Sequence, residues 1–141
     1  MVQALWRAAG AVPSTTDDLP ALEHLVSEHG DLFLVAAEDN RPVGTIVGGW
    51  DGWRGNIYRL AVLPSHRRRG LARALVAEVA RRLAARGARR ITVLVEGHDT
   101  RAVAFWESLG ELGCERDPRM MRYVLTPRPN PAGRPLERSH P

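Results

Sequence analysis

The chain has 141 residues, 44% of them apolar and 26% charged, and its twenty basic and sixteen acidic side chains leave a net charge of +4. That describes one domain with a hydrophobic core, and no apolar run approaches the ~20 residues that span a bilayer, so no membrane partner is expected. Arg7 interrupts the first apolar stretch, Cys114 is the only cysteine, and there is no CxxC or His/Cys pair at zinc spacing, so a signal peptide, a disulfide and a metal site are not expected and a cytoplasmic location fits.

Val2, Leu5, Trp6 and Ala9 share a helical spacing that predicts a short first helix ended by Gly10. Residues 15–30 predict a second helix, capped by Thr16 or Asp17, with Leu19, Leu22, Leu25 and Val26 as its apolar face and Gly30 as its stop. Leu32–Glu38 reads as a strand, Asp39–Pro42 as a turn, and Val43–Trp50 as a strand weakened by glycines. Asp51–Gly55 turns the chain into a third strand, Asn56–Pro64, so a run of hairpin-linked antiparallel strands is predicted. After Pro64 the period lengthens. Leu71, Leu75, Val79 and Leu83, with Val76 beside them, form the stripe of a third helix, with Arg73, Arg81, Arg82 and Arg86 toward solvent and Gly87 at its end. Arg89–Glu96 is a buried-type strand, and strand–helix–strand order predicts a right-handed crossover with parallel pairing. Thr100–Gly110 is a fourth helix and Arg119–Leu125 a closing strand. From Thr126 the chain holds five of its ten prolines and reads as a disordered or surface-draped extension.

All twenty basic residues are arginine, and three of them, Arg67, Arg68 and Arg69, stand directly before Gly70 at the start of the third helix. A helix start carries unpaired N–H groups and a partial positive charge, and glycine lets a bulky anion approach the backbone. Two readings are open: an anion-binding nest, or an arginine-rich loop that solubilises the helix start. Elsewhere basic and acidic residues alternate, which reads as a solvated surface more than as a nucleic-acid footprint.

Arg67–Ala72, RRRGLA, resembles the R/Q-x-x-G-x-G/A signature of the GNAT superfamily of acetyl-CoA-dependent N-acetyltransferases. Asp99–Gly110, DTRAVAFWESLG, is similar to that family's N-x-x-A-x-x-F-Y-E-x-x-G segment. The resemblance runs from Val2 to Leu125 and is to small stand-alone bacterial enzymes. It implies a domain over residues 1–125 followed by a tail over 126–141. It also implies an α/β (α+β) fold: a mixed, mostly antiparallel twisted sheet, about four helices, and parallel fourth and fifth family strands that splay apart. The chain opens on a helix where the family has a strand, so that first strand is expected to be missing. The sheet edge thereby exposed would allow a homodimer.

The resemblance also implies site residues. The backbone of Leu60, Ala61 and Val62 would pair with the pantetheine arm of acetyl-CoA, the co-substrate. Arg67, Arg68, Arg69, Gly70, Leu71 and Ala72 would hold the pyrophosphate, with Asp99, Ala102 and Trp106 bordering the cofactor from the fourth helix. An amine would attack the thioester directly, while a strand N–H near Leu60 or Ala61 polarises the carbonyl. Trp106 stands where the family has a tyrosine acid. An indole N–H is no useful acid, so Trp106 packs either against the pantetheine or in the core. Asp99 replaces the family's asparagine and either faces the cofactor or caps the fourth helix. Glu96 is the first candidate base and Tyr58 the second; His98 is a third, since imidazole exchanges protons near neutral pH. The expected partner is an amine, on a small molecule, an antibiotic or a protein. The alternatives are a non-catalytic acyl-CoA-binding module of the same fold and an arginine-rich nucleic-acid-binding protein.

Overall fold

Asp39 and Asn40 both take positive φ, 52° and 62°, the conformation of a two-residue type I′ turn. That turn joins β1 (Phe33–Glu38) to β2 (Arg41–Trp50). The computed structural model describes residues 2–11, 13, 14 and 16–127. In it β3 (Gly55–Val62) runs antiparallel to β2, and β4 (Ile91–Val93) runs parallel to β3, in the sheet order β1-β2-β3-β4. The helices are α1 (Val2–Ala8), α2 (Leu19–His29), α3 (Leu71–Ala85) and α4 (Thr100–Glu107). This is the mixed, mostly antiparallel sheet with a parallel final pair that the sequence predicts. No described helix is long and apolar enough to cross a membrane.

The amphipathic stripe of α3 places Leu75, Val76, Val79 and Leu83 on the sheet, against Leu32, Ile46, Ile57 and Val62. The glycines of β2 make room for it. A Cβ on Gly48 would meet Val79 Cγ2 at 2.7 Å, and one on Gly44 would meet Leu71 and Leu75 at 3.2 Å. Because side chains alternate along a strand, the neighbours of these residues face the other way. There α1 lays Leu5 and Trp6 against Ala61, with Leu22 and Phe33 at the margin. Gly10 ends α1 at φ 81°, as its sequence position suggests.

Several elements depart from the sequence reading. The cap of α2 is Asp18, whose carboxylate accepts from Ala21 N at 2.9 Å, rather than Thr16 or Asp17. Asp17 is engaged elsewhere: its carboxylate receives Ser14 N at 3.0 Å and pairs with the Arg59 guanidinium. The apolar face of α2 is not buried. Leu19 and Val26 are 58% and 52% exposed, and of that stripe Leu22 packs on the Leu5–Trp6 cluster. The strand expected over Arg89–Glu96 forms only at Ile91–Val93, because its ladder with β3 ends there. Helix α4 stops at Glu107, followed by a 3₁₀ turn at Gly110–Leu112. Arg119–Leu125 forms no strand, and Met121 and Tyr123 are 81% and 88% exposed. Asp117 holds the backbone N–H and the guanidinium of Arg119 in a local turn, and strand-forming residues with no ladder to join stay single. Of the expected tail over 126–141, residues 128–141 lie outside the described residues.

The close approach of α3 to β2 gives a stability test. Gly48→Ala forces Val79 to move, an overpacking strain expected to cost about 1–3 kcal/mol. The urea midpoint should fall with an unchanged slope; an unchanged midpoint would show that the helix is not seated on Gly48.

Candidate functional site

The parallel ladder of β3 and β4 has three rungs, the last at Ile57 and Val93, yet β3 continues to Val62. Beyond Ile57, therefore, one edge of β3 has no strand beside it among the described residues. On its other edge the register with β2 slips. Thr45 faces Ala61 and Val47 faces Tyr58, so Arg59 and Leu60 stand opposite Ile46 alone. This is a β-bulge, and Arg59 takes a left-handed φ of 51° within it.

A cavity of about 800 Å³ opens along this unpaired stretch. Its walls include Leu60, Ala61 and Val62 from β3, and Arg67, Arg68, Gly70, Leu71 and Ala72 from the start of α3. Helix α4 contributes Asp99, Ala102 and Trp106. Arg69 is not on the wall, and neither are Tyr58, Glu96 and His98. Tyr58 is the residue after the last rung on β3 and is half-exposed. Glu96 follows the end of β4, half-exposed, with Arg122 Nη1 and His98 Nδ1 each 3.9 Å from its carboxylate.

The start of α3 is open. Gly70, at φ 76°, offers no side-chain cap, and the first helical bond is Ala74 N to Gly70 O at 3.0 Å. The N–H groups of Leu71, Ala72 and Arg73 thus have no partner within the helix. Helices α2 and α4 instead carry aspartate caps. Left-handed Arg68 (φ 64°) and Gly70 on either side of Arg69 make the alternating backbone of an anion nest. A side chain in this region is strained, which marks a constrained site.

The arginines do not share one role. Arg67 donates through Nε to Val62 O at 3.2 Å and through Nη2 to Ala9 O at 3.0 Å, tying the end of α1 to the end of β3. Arg68 is exposed at the cavity rim, and Arg101 adds a second cation on the α4 side. Asp99 caps α4 by accepting from Ala102 N at 3.0 Å, while still bordering the cavity. Trp106 does two things as well. It packs against the core cluster, edge-on to Phe105 at 5.3 Å, and it lines the cavity.

Sequence reasoning missed the small residues Ala9, Gly10 and Ala11, which form a wall at the end of α1. It also missed His66, whose Nε2 meets Glu38 at 2.8 Å and whose Nδ1 meets Ser65 Oγ at 2.8 Å. Its place one residue before the arginines was the available signal. Cys114 lines a separate cavity of about 370 Å³ behind β4 and α3, and burial pushes its thiol up from the ordinary range.

Comparison with known proteins bears on this geometry. The sequence profile described as the acetyltransferase (GNAT) family matches residues 1–110. An acetyltransferase of Sodalis glossinidius is 36% identical over 108 residues, 77% of this chain and 76% of that protein. Among solved structures, diaminobutyrate acetyltransferase of Paenibacillus lautus, in complex with L-2,4-diaminobutyric acid and coenzyme A, superposes with a TM-score of 0.65 at 22% identity, covering 79% of this chain and 68% of that one. The ribosomal-protein-S18-alanine N-acetyltransferase of Escherichia coli superposes with a TM-score of 0.58 at 22% identity, covering 77% and 68%. These likenesses concern the fold.

The cap at Asp99 gives a test that needs no ligand. Asp99→Ala should lower stability by about 1 kcal/mol, and Asp99→Asn, which keeps the accepting oxygen, by a few tenths at most. Equal melting temperatures for all three proteins would remove Asp99 as a cap.

Proposed function

This chain belongs to the acetyltransferase (GNAT) family, and from that premise we propose that it transfers the acetyl group of acetyl-CoA to a primary amine by direct attack on the thioester. One observation carries the reading: a single cavity joins the uncapped nest at α3 to the unpaired stretch of β3. An anion site and an open strand edge in one cleft suit a ligand with a pyrophosphate at one end and an amide-rich arm at the other.

In this reading the N–H groups from Arg68 to Ala72 receive the pyrophosphate, with Arg68 and Arg101 supplying charge. Arg67 serves as a tether, its guanidinium already engaged by Val62 and Ala9. Leu60, Ala61 and Val62 present backbone groups to the pantetheine, and Trp106 packs along it. A β3 N–H at the bulge stabilises the oxyanion that forms as the neutral amine attacks the carbonyl carbon. The amine proton passes to Glu96, directly or through water, with Tyr58 and His98 as the other candidates, all three lying off the cavity wall. The carbon–sulfur bond then breaks. No tyrosine stands at Trp106 to protonate the sulfur, and a thiolate of pKa about 8.5 leaves unaided at neutral pH. Cys114, the chain's one thiol, lies in a different cavity, and burial pushes it up from the ordinary range. That favours direct transfer over an acetyl-cysteine route. We assign the domain to residues 1–125, with 126–141 as an extension.

A panel of small amines and peptide N-termini, with release of free thiol from acetyl-CoA as readout, tests the activity. Acetyl-CoA at one hundred times its Kd should stabilise the protein by about 2.7 kcal/mol. Gly70→Asp should remove most of that effect by placing a carboxylate in the nest. A mutant stabilised as much as the parent would put the pyrophosphate elsewhere.

The base has its own test. Glu96→Gln should lower kcat by about 10²-fold with little change in acetyl-CoA affinity. An unchanged rate and pH profile would remove Glu96 from proton transfer.

A further inference from the structure

Among the described residues Thr45 is the one polar side chain that is fully buried, at 0% exposure. It lies on β2 beside the bulge in β3, paired with Ala61. Its hydroxyl accepts from the Trp6 indole N–H at 2.8 Å and donates to the Arg59 carbonyl oxygen at 2.9 Å. Helix α1 is thereby wired through one hydroxyl to the left-handed residue of the bulge. The Arg59 side chain is held from the same side. Its guanidinium pairs with Asp17 and lies over the Trp6 ring, 5.2 Å from the centroid.

The consequence follows from peptide geometry. A peptide group is planar and trans, so its C=O and N–H point in opposite directions. The Arg59 carbonyl points to Thr45 on β2, so the Leu60 N–H of the same peptide points away from β2. In the order β1-β2-β3-β4 that is the side of β4, whose pairing with β3 has already ended at Ile57. Leu60 lines the cavity there. A non-glycine residue at φ 51° would relax without support, and relaxation would rotate this peptide.

We infer that Thr45 and Trp6 are positioning residues: their hydrogen-bond relay locks the Arg59–Leu60 peptide so that the Leu60 N–H is aimed at the thioester carbonyl. The inference rests on the acetyl-transfer reading and adds to it residues that touch neither substrate. The relay acts on the acetyl end of the ligand and leaves the nest at α3 untouched. Its loss therefore acts on turnover and on the recognition of acetyl-CoA over CoA, and spares the binding of CoA itself.

The test compares Thr45→Val, which removes the hydroxyl with little change of shape, with Thr45→Ser, which keeps it. Removing an oxyanion donor outright costs about 10²–10³-fold in kcat, so a mis-aimed one in Thr45→Val should cost at least about tenfold. The KM for acetyl-CoA should stay within about threefold, and calorimetry should show a smaller affinity difference between acetyl-CoA and CoA than in the parent. Thr45→Ser should restore most of kcat. Trp6→Phe, which leaves the Thr45–Arg59 bond, should fall between the two and serves if Thr45→Val does not fold. Adding Arg59→Gly to Thr45→Val is the sharpest arm. Glycine holds a left-handed φ without help, so kcat should recover even though the Asp17 pair is lost. A purely structural role predicts lower melting temperatures with kcat per folded molecule unchanged and no recovery with glycine; that result overturns the relay. A parent that binds neither ligand overturns the acetyl-transfer reading, and the relay with it.

Discussion

Two parallel strands that stop bonding after three rungs leave backbone donors and acceptors that need other partners. Much of the site follows from this break between β3 and β4. Beyond Ile57, β3 keeps β2 on one side and faces a cavity on the other. The bulge sits at the same place, so the strand changes register where it loses its neighbour. Helix α3 begins a few residues later with no cap. The unpaired edge, with Leu60 next to left-handed Arg59, and the open helix end thus line one cleft, close together because they are close in the chain.

Helix α1 holds this arrangement from the opposite face of the sheet. It is short: two buried apolar residues hold it, Gln3 donates to Asp17 O, and two further polar ties reach toward the site. Trp6 reaches the bulge through Thr45, and Ala9 O receives the Arg67 guanidinium. Both ties end on β3 or on the loop that follows it. Movement of α1 would therefore be felt at the two ends of the cavity, at the bulge and at the nest. The first arginine of the triplet serves the protein's own carbonyls while the helix end beside it stays open. Charge density alone does not distinguish those roles; the direction of the guanidinium does.

The parts of this site that were legible in the sequence are local in the chain. RRRGLA needs only its glycine and a following helix to form a nest, and Asp99 needs only the next three residues to form a cap. The α3 stripe and the Asp39–Asn40 turn are similarly local. What escaped reading depends on contacts between distant residues. Trp6 and Thr45 are 39 positions apart, and Thr45 and Arg59 are 14 apart across a bulge that no spacing rule announces. Asp17 looked like a helix cap because its partner Arg59 is 42 residues away. Leu19 and Val26 have a core-like spacing but little of the protein against them, and Arg119–Leu125 has strand-forming residues without a strand to pair with. Propensity describes a residue's fit to a neighbour and does not supply the neighbour.

In the proposed mode of binding one cleft holds the pyrophosphate at the start of α3 and the thioester at the bulge in β3. A crystal structure with a non-hydrolysable ketone analogue of acetyl-CoA, in which a CH2 group replaces the sulfur and the carbonyl is kept, tests both ends at once. Pyrophosphate oxygens are expected within about 3 Å of the N–H groups between Arg68 and Ala72, and the carbonyl oxygen at a similar distance from Leu60 N. A pyrophosphate bound away from Gly70, or an acyl group on the β2 side of β3, would contradict that mode of binding.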